Sequence, residues 1–199
     1  MYSQASRVFQ HSYISNAEVN LKSHMRFLWE QHIAWTRFAI LSLVFNLPDA
    51  EFVIARLLRN ATDMGNFMAR FYGKQVGAHY ESLIKAHLVI AADLVKAAKK
   101  GDQTAAASIE RKWYENADEI AAFISKVNPY ISENEFRNMF YEHLAFVKAQ
   151  AVFMLQKDYQ SGVAVYDKYE TQALHMADAI TRAIVKQFPN AFPPGKRSY

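Results

Sequence analysis

The chain has 199 residues, 51% hydrophobic and 21% charged, with 6 glycines, 5 prolines and no cysteine. This mixture excludes a disordered or collagen-like chain, and so few turn residues argue against an all-β fold. The missing thiols remove disulfide frameworks, cysteine nucleophiles, Cys-ligated zinc and iron–sulfur clusters, while a formal net charge of +4 selects no class of partner.

Residues 1–14 read as an N-terminal arm, and MYSQASRVFQHSYIS has no apolar core of signal-peptide length. The longest apolar run, Phe38 to Phe45, is interrupted by Ser42 and is too short to span a bilayer. Together these predict a cytoplasmic protein without membrane association. One domain is expected over 15–190, followed by a tail, AFPPGKRSY, too rich in Pro, Gly and charge to continue a helix.

Pro48, Gly73, Gly101, Pro129, Gly162 and Pro189 punctuate the domain at intervals of one long helix. The first predicted helix, 17–46, carries Met25, Leu28, Trp29, Trp35, Ala39 and Leu43 at spacings of three and four or their sums. The second, 49–72, is basic through Arg56, Arg59 and Arg70. The third, 75–100, repeats the apolar spacing at Leu83, Ile84, Ile90, Ala91 and Leu94. It ends in Lys96, Lys99 and Lys100, as the helix dipole favours. Asp102 opens the fourth, 103–128, and Ser132 to Glu135 has the form of a capping box for the fifth, 132–158. The sixth covers 162–188. No segment alternates as a strand does. The expected fold is all-α: an up-and-down bundle of about six long helices made of three repeated hairpins, ferritin-like in character. A four-helix bundle with a packed pair satisfies the same pattern. Trp29, Trp35, Phe38, Trp113, Tyr114, Tyr141 and Phe146 are expected to fill the core.

The repeat is visible as offsets. Shifting 73–102 by 56 places Gly73 on Pro129, Tyr80 on Phe136, His87 on His143 and Asp102 on Asp158. With a four-residue insertion the offset becomes 60, and Asp118, Ile120, Ile124 and Pro129 fall on Asp178, Ile180, Ile184 and Pro189. A weaker first copy sets His32 at 55 before His87 and Asn60 at 56 before Asn116.

The histidine of each unit lies on the apolar stripe of its helix, so it is expected to be buried and in need of a partner. From His87 to Gly101 is 14 residues, about 21 Å of helix, and Gly101 to Asp118 is 17 residues, about 25 Å back. The two side chains thus stand at similar heights on facing helices. His143 with Asp178, and His32 with Asp63, do the same about their own turns, with Asn60 and Asn116 near the same level. This predicts one polar layer with two candidate uses. It is a metal site for iron, zinc or manganese, with His32, His87 and His143 as ligands and Asp63, Asp118 and Asp178 as ligands or orienters. Alternatively it is a hydrogen-bonded layer that only sets packing in a non-catalytic structural or interaction bundle. The Glu-x-x-His pairs of di-iron bundles are missing, and His175 is expected on a solvated face.

No Gly-rich phosphate loop, H-E-x-x-H motif or nucleophile elbow occurs, so no reaction, substrate or small-molecule ligand is specified. Arg37 and Lys148 each follow a histidine by five residues and are read as snorkelling side chains rather than an anion site. No nucleic-acid partner is expected, and a homodimer is compatible with the pattern.

The segments LWEQHIAWTR (28–37), AHLVIAADLVKAAKKGD (86–102), RKWYENADEIAAF (111–123) and YEHLAFVKAQAV (141–152) resemble an uncharacterised family of all-helical proteins from Bacillus-type bacteria. Some members of that family are named acetylglutamate kinase, a name this chain contradicts because it has neither an αβα pattern nor a phosphate loop. The E-H-x-x-F run at Glu142 to Phe146 is similar to ferritin-like bundles of spore formers, a resemblance that implies bound iron.

Overall fold

The structure, a computed structural model, describes residues 14–193. The rest of the expected arm and tail lies outside the described residues. Six helices follow one another: α1 (Asn16–Phe45), α2 (Ala50–Tyr72), α3 (Lys74–Lys100), α4 (Gln103–Val127), α5 (Glu133–Leu155) and α6 (Tyr159–Gln187), closed by a 3-10 turn at Pro189–Ala191. The described residues contain no strand, and none of their helices is long and apolar enough to cross a membrane.

Side-chain caps begin four of the helices. Ser15 accepts from the Glu18 N–H at 3.1 Å, Asp102 from Ala105 at 2.9 Å, Ser132 from Glu135 at 3.4 Å and Asp158 from Ser161 at 3.1 Å. α1 stops where Asn46 turns left-handed, and α3 stops at left-handed Gly101. Gly162, expected to break the chain, instead lies inside α6. The break falls earlier, at left-handed Lys157, so α5 ends at Leu155 and Asp158 starts α6.

Each helix packs on its neighbours in the chain, α6 closes back on α1, and α1 also touches α3 and α5. The result is one ring of six helices with α1 drawn towards its middle, rather than a four-helix bundle with an added pair. Ile33, Ala61, Ile120, Leu144, Tyr169 and Ile184 are sealed in the shared core. Trp29 and Trp113 are buried as expected, and Trp35, Tyr114, Tyr141 and Phe146 pack at its edge. Phe38 does not join them; it is half exposed on the outer face of α1.

α2 and α3 come closest at two glycines. A Cβ on Gly77 would stand 2.5 Å from the Gly65 carbonyl oxygen and 2.7 Å from Ala69 Cβ. Both obstacles belong to the opposing helix, and the first is backbone, so no rotamer change relieves the clash. Gly77→Ala is therefore expected to lower the unfolding free energy by roughly 1–3 kcal/mol, despite the better helix propensity of alanine. Urea denaturation followed by circular dichroism measures this, and an unchanged midpoint would show that α2 and α3 can separate freely.

Candidate functional site

His32 on α1, His87 on α3 and His143 on α5 are all buried. Their Nδ1 atoms meet a side-chain amide oxygen on the next helix: Asn60 Oδ1 at 3.2 Å, Asn116 Oδ1 at 3.0 Å and Gln172 Oε1 at 3.1 Å. Each amide then turns back. Its NH2 donates to a main-chain carbonyl four residues before the histidine, at Leu28 (2.9 Å), Leu83 (3.3 Å) and Met139 (2.7 Å). The donation to a carbonyl identifies which end of each amide is nitrogen. The oxygen therefore faces the imidazole, and Nδ1 must carry the proton. Each hairpin is thus pinned by the same pair of bonds.

The three pins share one layer. The His32 and His143 rings are 5.8 Å apart, Trp29 lies 5.7 Å from His32, and Phe140 lies 5.5 Å from His87. Tyr169 packs 5.4 Å from His143 and donates its hydroxyl to the Ile33 carbonyl at 3.1 Å. Surrounded by apolar rings, an imidazolium is poorly solvated. Burial pushes His32 down to about 4, against the smaller pull of Asn60. Burial, then the neighbouring His32, pushes His87 down to about 3. His143 lies well below the ordinary histidine value, through burial and then its two histidine neighbours. All three are neutral at pH 7.

The expected carboxylates do not reach this layer. Asp178 is clamped by Arg26, whose Nε and Nη2 donate at 2.8 and 2.6 Å, with Lys22 Nζ at 3.5 Å. Arg26, then, holds the Asp178 carboxyl below the usual carboxylate range. Asp118 accepts from Arg137 Nε at 2.9 Å and from the Tyr141 hydroxyl at 2.8 Å. Asp63 pairs with Arg59 at 3.6 Å. Among the described residues no group of three His, Asp or Glu side chains could hold a metal ion, so the expected set of six ligands is not assembled.

For Asp118 and Asp63 the reason is direction: they stand two residues after Asn116 and three after Asn60, off the inward line of the amide, and turn to Arg137 and Arg59. For Asp178 the reason is register. Moving an alignment by four residues keeps apolar positions on apolar positions, so Ile and Ala could not tell an offset of 60 from one of 56. Keeping 56 leads from Asn116 to Gln172, and Asp102 and Asp158 already agree with it as caps. Asn60 and Asn116 were expected near the layer and are there; Gln172 was missed, although it lies 29 residues after His143, as Asn116 does after His87.

His175 is exposed, as expected. Lys148 pairs with Glu110 at 2.6 Å. Arg37 reaches Gln150 Oε1 at 2.9 Å and the Gly162 carbonyl at 3.3 Å, and stacks on Tyr166.

Next to the layer, towards the end of the bundle where α3 turns into α4, lies an apolar cleft of about 450 Å³ bordered by α1 to α5. Alanines 39, 92, 98, 106 and 151 leave the space that Leu43, Leu57, Leu88, Val95 and Leu155 wall in. Thr36 and Trp113 line it; Trp113 also packs 5.3 Å from His87. The Trp113 indole N–H is buried without a hydrogen-bond partner. The Thr36 hydroxyl is buried beside Tyr169, whose hydroxyl donates to Ile33 and keeps a lone pair to accept from Thr36. Lys148–Glu110 and Lys96–Asp93 border the cleft as paired charges.

No protein-family model, curated protein or solved structure matches the chain, and its function has to be read from its own geometry.

Proposed function

We propose that this is a non-catalytic binding bundle. Its histidine–amide layer sets the register of three like hairpins, and its apolar cleft takes an elongated, uncharged, mainly aliphatic small molecule. The observation that carries the reading is the cleft itself, an apolar space of about 450 Å³ walled by five of the six helices. Its bordering lysines already have carboxylate partners, so nothing there calls for an ionic head group. The three pins, alike bond for bond, support descent of the hairpins from one repeated unit. The segments that resemble the uncharacterised helical family carry His32, His87, Asn116 and His143, which supports kinship with it.

The test uses N-phenyl-1-naphthylamine as a fluorescent probe. Saturable enhancement, displaced by 1-dodecanol and much less by dodecanoate, is expected. Ala151→Phe, which fills the cleft, should weaken probe binding by about tenfold or more while the protein stays folded. No saturable binding, or binding indifferent to Ala151→Phe, would sink the reading.

A metal-bound form is the second reading, and one feature favours it. The amides impose the Nδ1–H tautomer, which leaves Nε2 of His32, His87 and His143 as the basic nitrogen that iron, zinc or manganese would use once the imidazoles, which do not form a metal-holding group as they stand, close on one ion. Elemental analysis of untagged protein after incubation with Fe²⁺, Zn²⁺ and Mn²⁺ decides it: a stoichiometric ion lost in His143→Ala supports the site, and a sub-stoichiometric result ends it.

A further inference from the structure

α1 exposes Phe27, Phe38 and Phe45 along one stripe, with Gln31, Ala34 and Leu41 half-buried between them. Phe27, Gln31, Ala34, Phe38, Leu41 and Phe45 follow one another at alternating steps of four and three, the spacing of a helix seam that meets another helix. Phe27 is 58%, Phe38 47% and Phe45 38% exposed. α2 and α6 flank the stripe and extend it, with Phe52 on α2 at 78% and Val163 on α6 at 55% exposure. Singly exposed apolar residues are ordinary, but a run shared by three adjacent helices is the mark of an interaction surface.

The two flanks carry opposite charge. On the α2 side stand Arg56, over the Trp35 ring at 5.0 Å, and Arg59, whose only ion-pair partner among the described residues is Asp63 at 3.6 Å. On the α6 side Glu30 and Glu170 stand together. Neither carboxylate has an ion-pair partner among the described residues, and burial and then the Glu170 carboxylate raise the Glu30 pKa. Contacts across the helices set the heights. Asn60 meets His32, Arg56 meets Trp35, Tyr169 meets Ile33 and Tyr159 meets Phe45. Arg59 therefore lies level with Glu30 and Glu170, and Phe52 lies level with Val163.

We propose that this face binds a second copy of the chain, with the two α1 helices parallel about a two-fold axis running along the Phe27–Phe45 stripe. That axis preserves height and exchanges the flanks. It sets α2 of one copy against α6 of the other, Arg59 against Glu30 and Glu170, and Phe52 against Val163. An antiparallel pairing sets α2 against α2 and α6 against α6, which leaves every one of these charges without an opposite across the interface. The interface is self-complementary, as a two-fold contact must be.

Analytical ultracentrifugation of the full chain is expected to show a concentration-dependent dimer. Phe38→Asp should raise its dissociation constant at least about tenfold, and Arg59→Glu by a similar factor, with Arg59→Glu/Glu170→Arg recovering most of the loss. Phe38 and Arg59 are exposed and Glu170 is half-buried, and an unchanged circular dichroism melt verifies the fold of each variant. Since the chain has no cysteine, orientation can be read from disulfides. A mixture of Phe52→Cys and Val163→Cys should oxidise to a mixed covalent dimer, and neither variant alone should do so. A monomer up to about 200 µM, a dimer indifferent to Phe38→Asp, or self-linking of Phe52→Cys would each overturn the proposal. None of these results depends on the apolar cleft, which lies on the other side of α1.

Discussion

Lowering the pH from 7 towards 5 is expected to remove a large part of the stability of this bundle. His32, His87 and His143 are neutral in the folded state, with pKa values pushed to about 4, about 3 and well below the ordinary value. In the unfolded chain each takes up a proton near pH 6.5. Between that pH and the folded values, the unfolded state binds more protons, so stability falls as pH falls. Each histidine contributes up to about 1.4 kcal/mol per pH unit, and three together about 4 kcal/mol per unit once all are protonated in the unfolded state. That gradient is large against a net stability of about 5–15 kcal/mol. Glu30, whose pKa is raised, works in the opposite direction below its folded pKa. The Arg26–Asp178 pair is lost only at lower pH, below the ordinary Asp value. Urea midpoints at pH 7.5, 6.0 and 5.0 measure the slope, and His87→Gln should flatten it by about one third. A midpoint constant over that range would mean that the histidines are not sealed from water.

His143→Ala is expected to cost roughly 2–4 kcal/mol, because it opens a cavity among Trp29, Phe140 and Tyr169 and strands the Gln172 amide oxygen. The exposed His175 is the control: His175→Ala should cost less than about 0.5 kcal/mol. If the layer only sets register, chelator leaves the melting temperature of wild type unchanged. If it holds metal, chelator lowers wild type and spares His143→Ala. Equal, small losses at His143 and His175 would contradict the pinned layer itself.

The helices, their approximate ends and the burial of the three histidines were all legible from the chain alone. Each depends on local properties: apolar spacing near 3.6, a cap such as Asp102 or Ser132, or a left-handed stop such as Gly101. Where this logic failed, the cause was also local. Gly162 looks like a breaker in the sequence, but a glycine can serve close packing equally well, and its neighbours Met154 and Gln150 come from another helix. Phe38 misleads because an aromatic at helical spacing looks the same whether its stripe faces inward or outward.

Six helices, their return as hairpins and the need of one histidine per hairpin for a partner inside all follow from the order of the residues. Tertiary structure alone decided which partner. A slide of one turn moves every apolar residue onto another apolar residue at little cost, so the hydrophobic pattern is almost degenerate between registers. A buried imidazole is not: only one register brings Asn60, Asn116 and Gln172 within about 3 Å of a histidine and a carbonyl at once. The aspartates pair elsewhere: Asp178 with Arg26, more than a hundred residues off in sequence, Asp118 with Arg137 across a different seam, and Asp63 with Arg59 on its own helix. Closure of α6 onto α1 creates the first of these pairs, and a pairing that exists only after closure leaves no periodic trace in the chain.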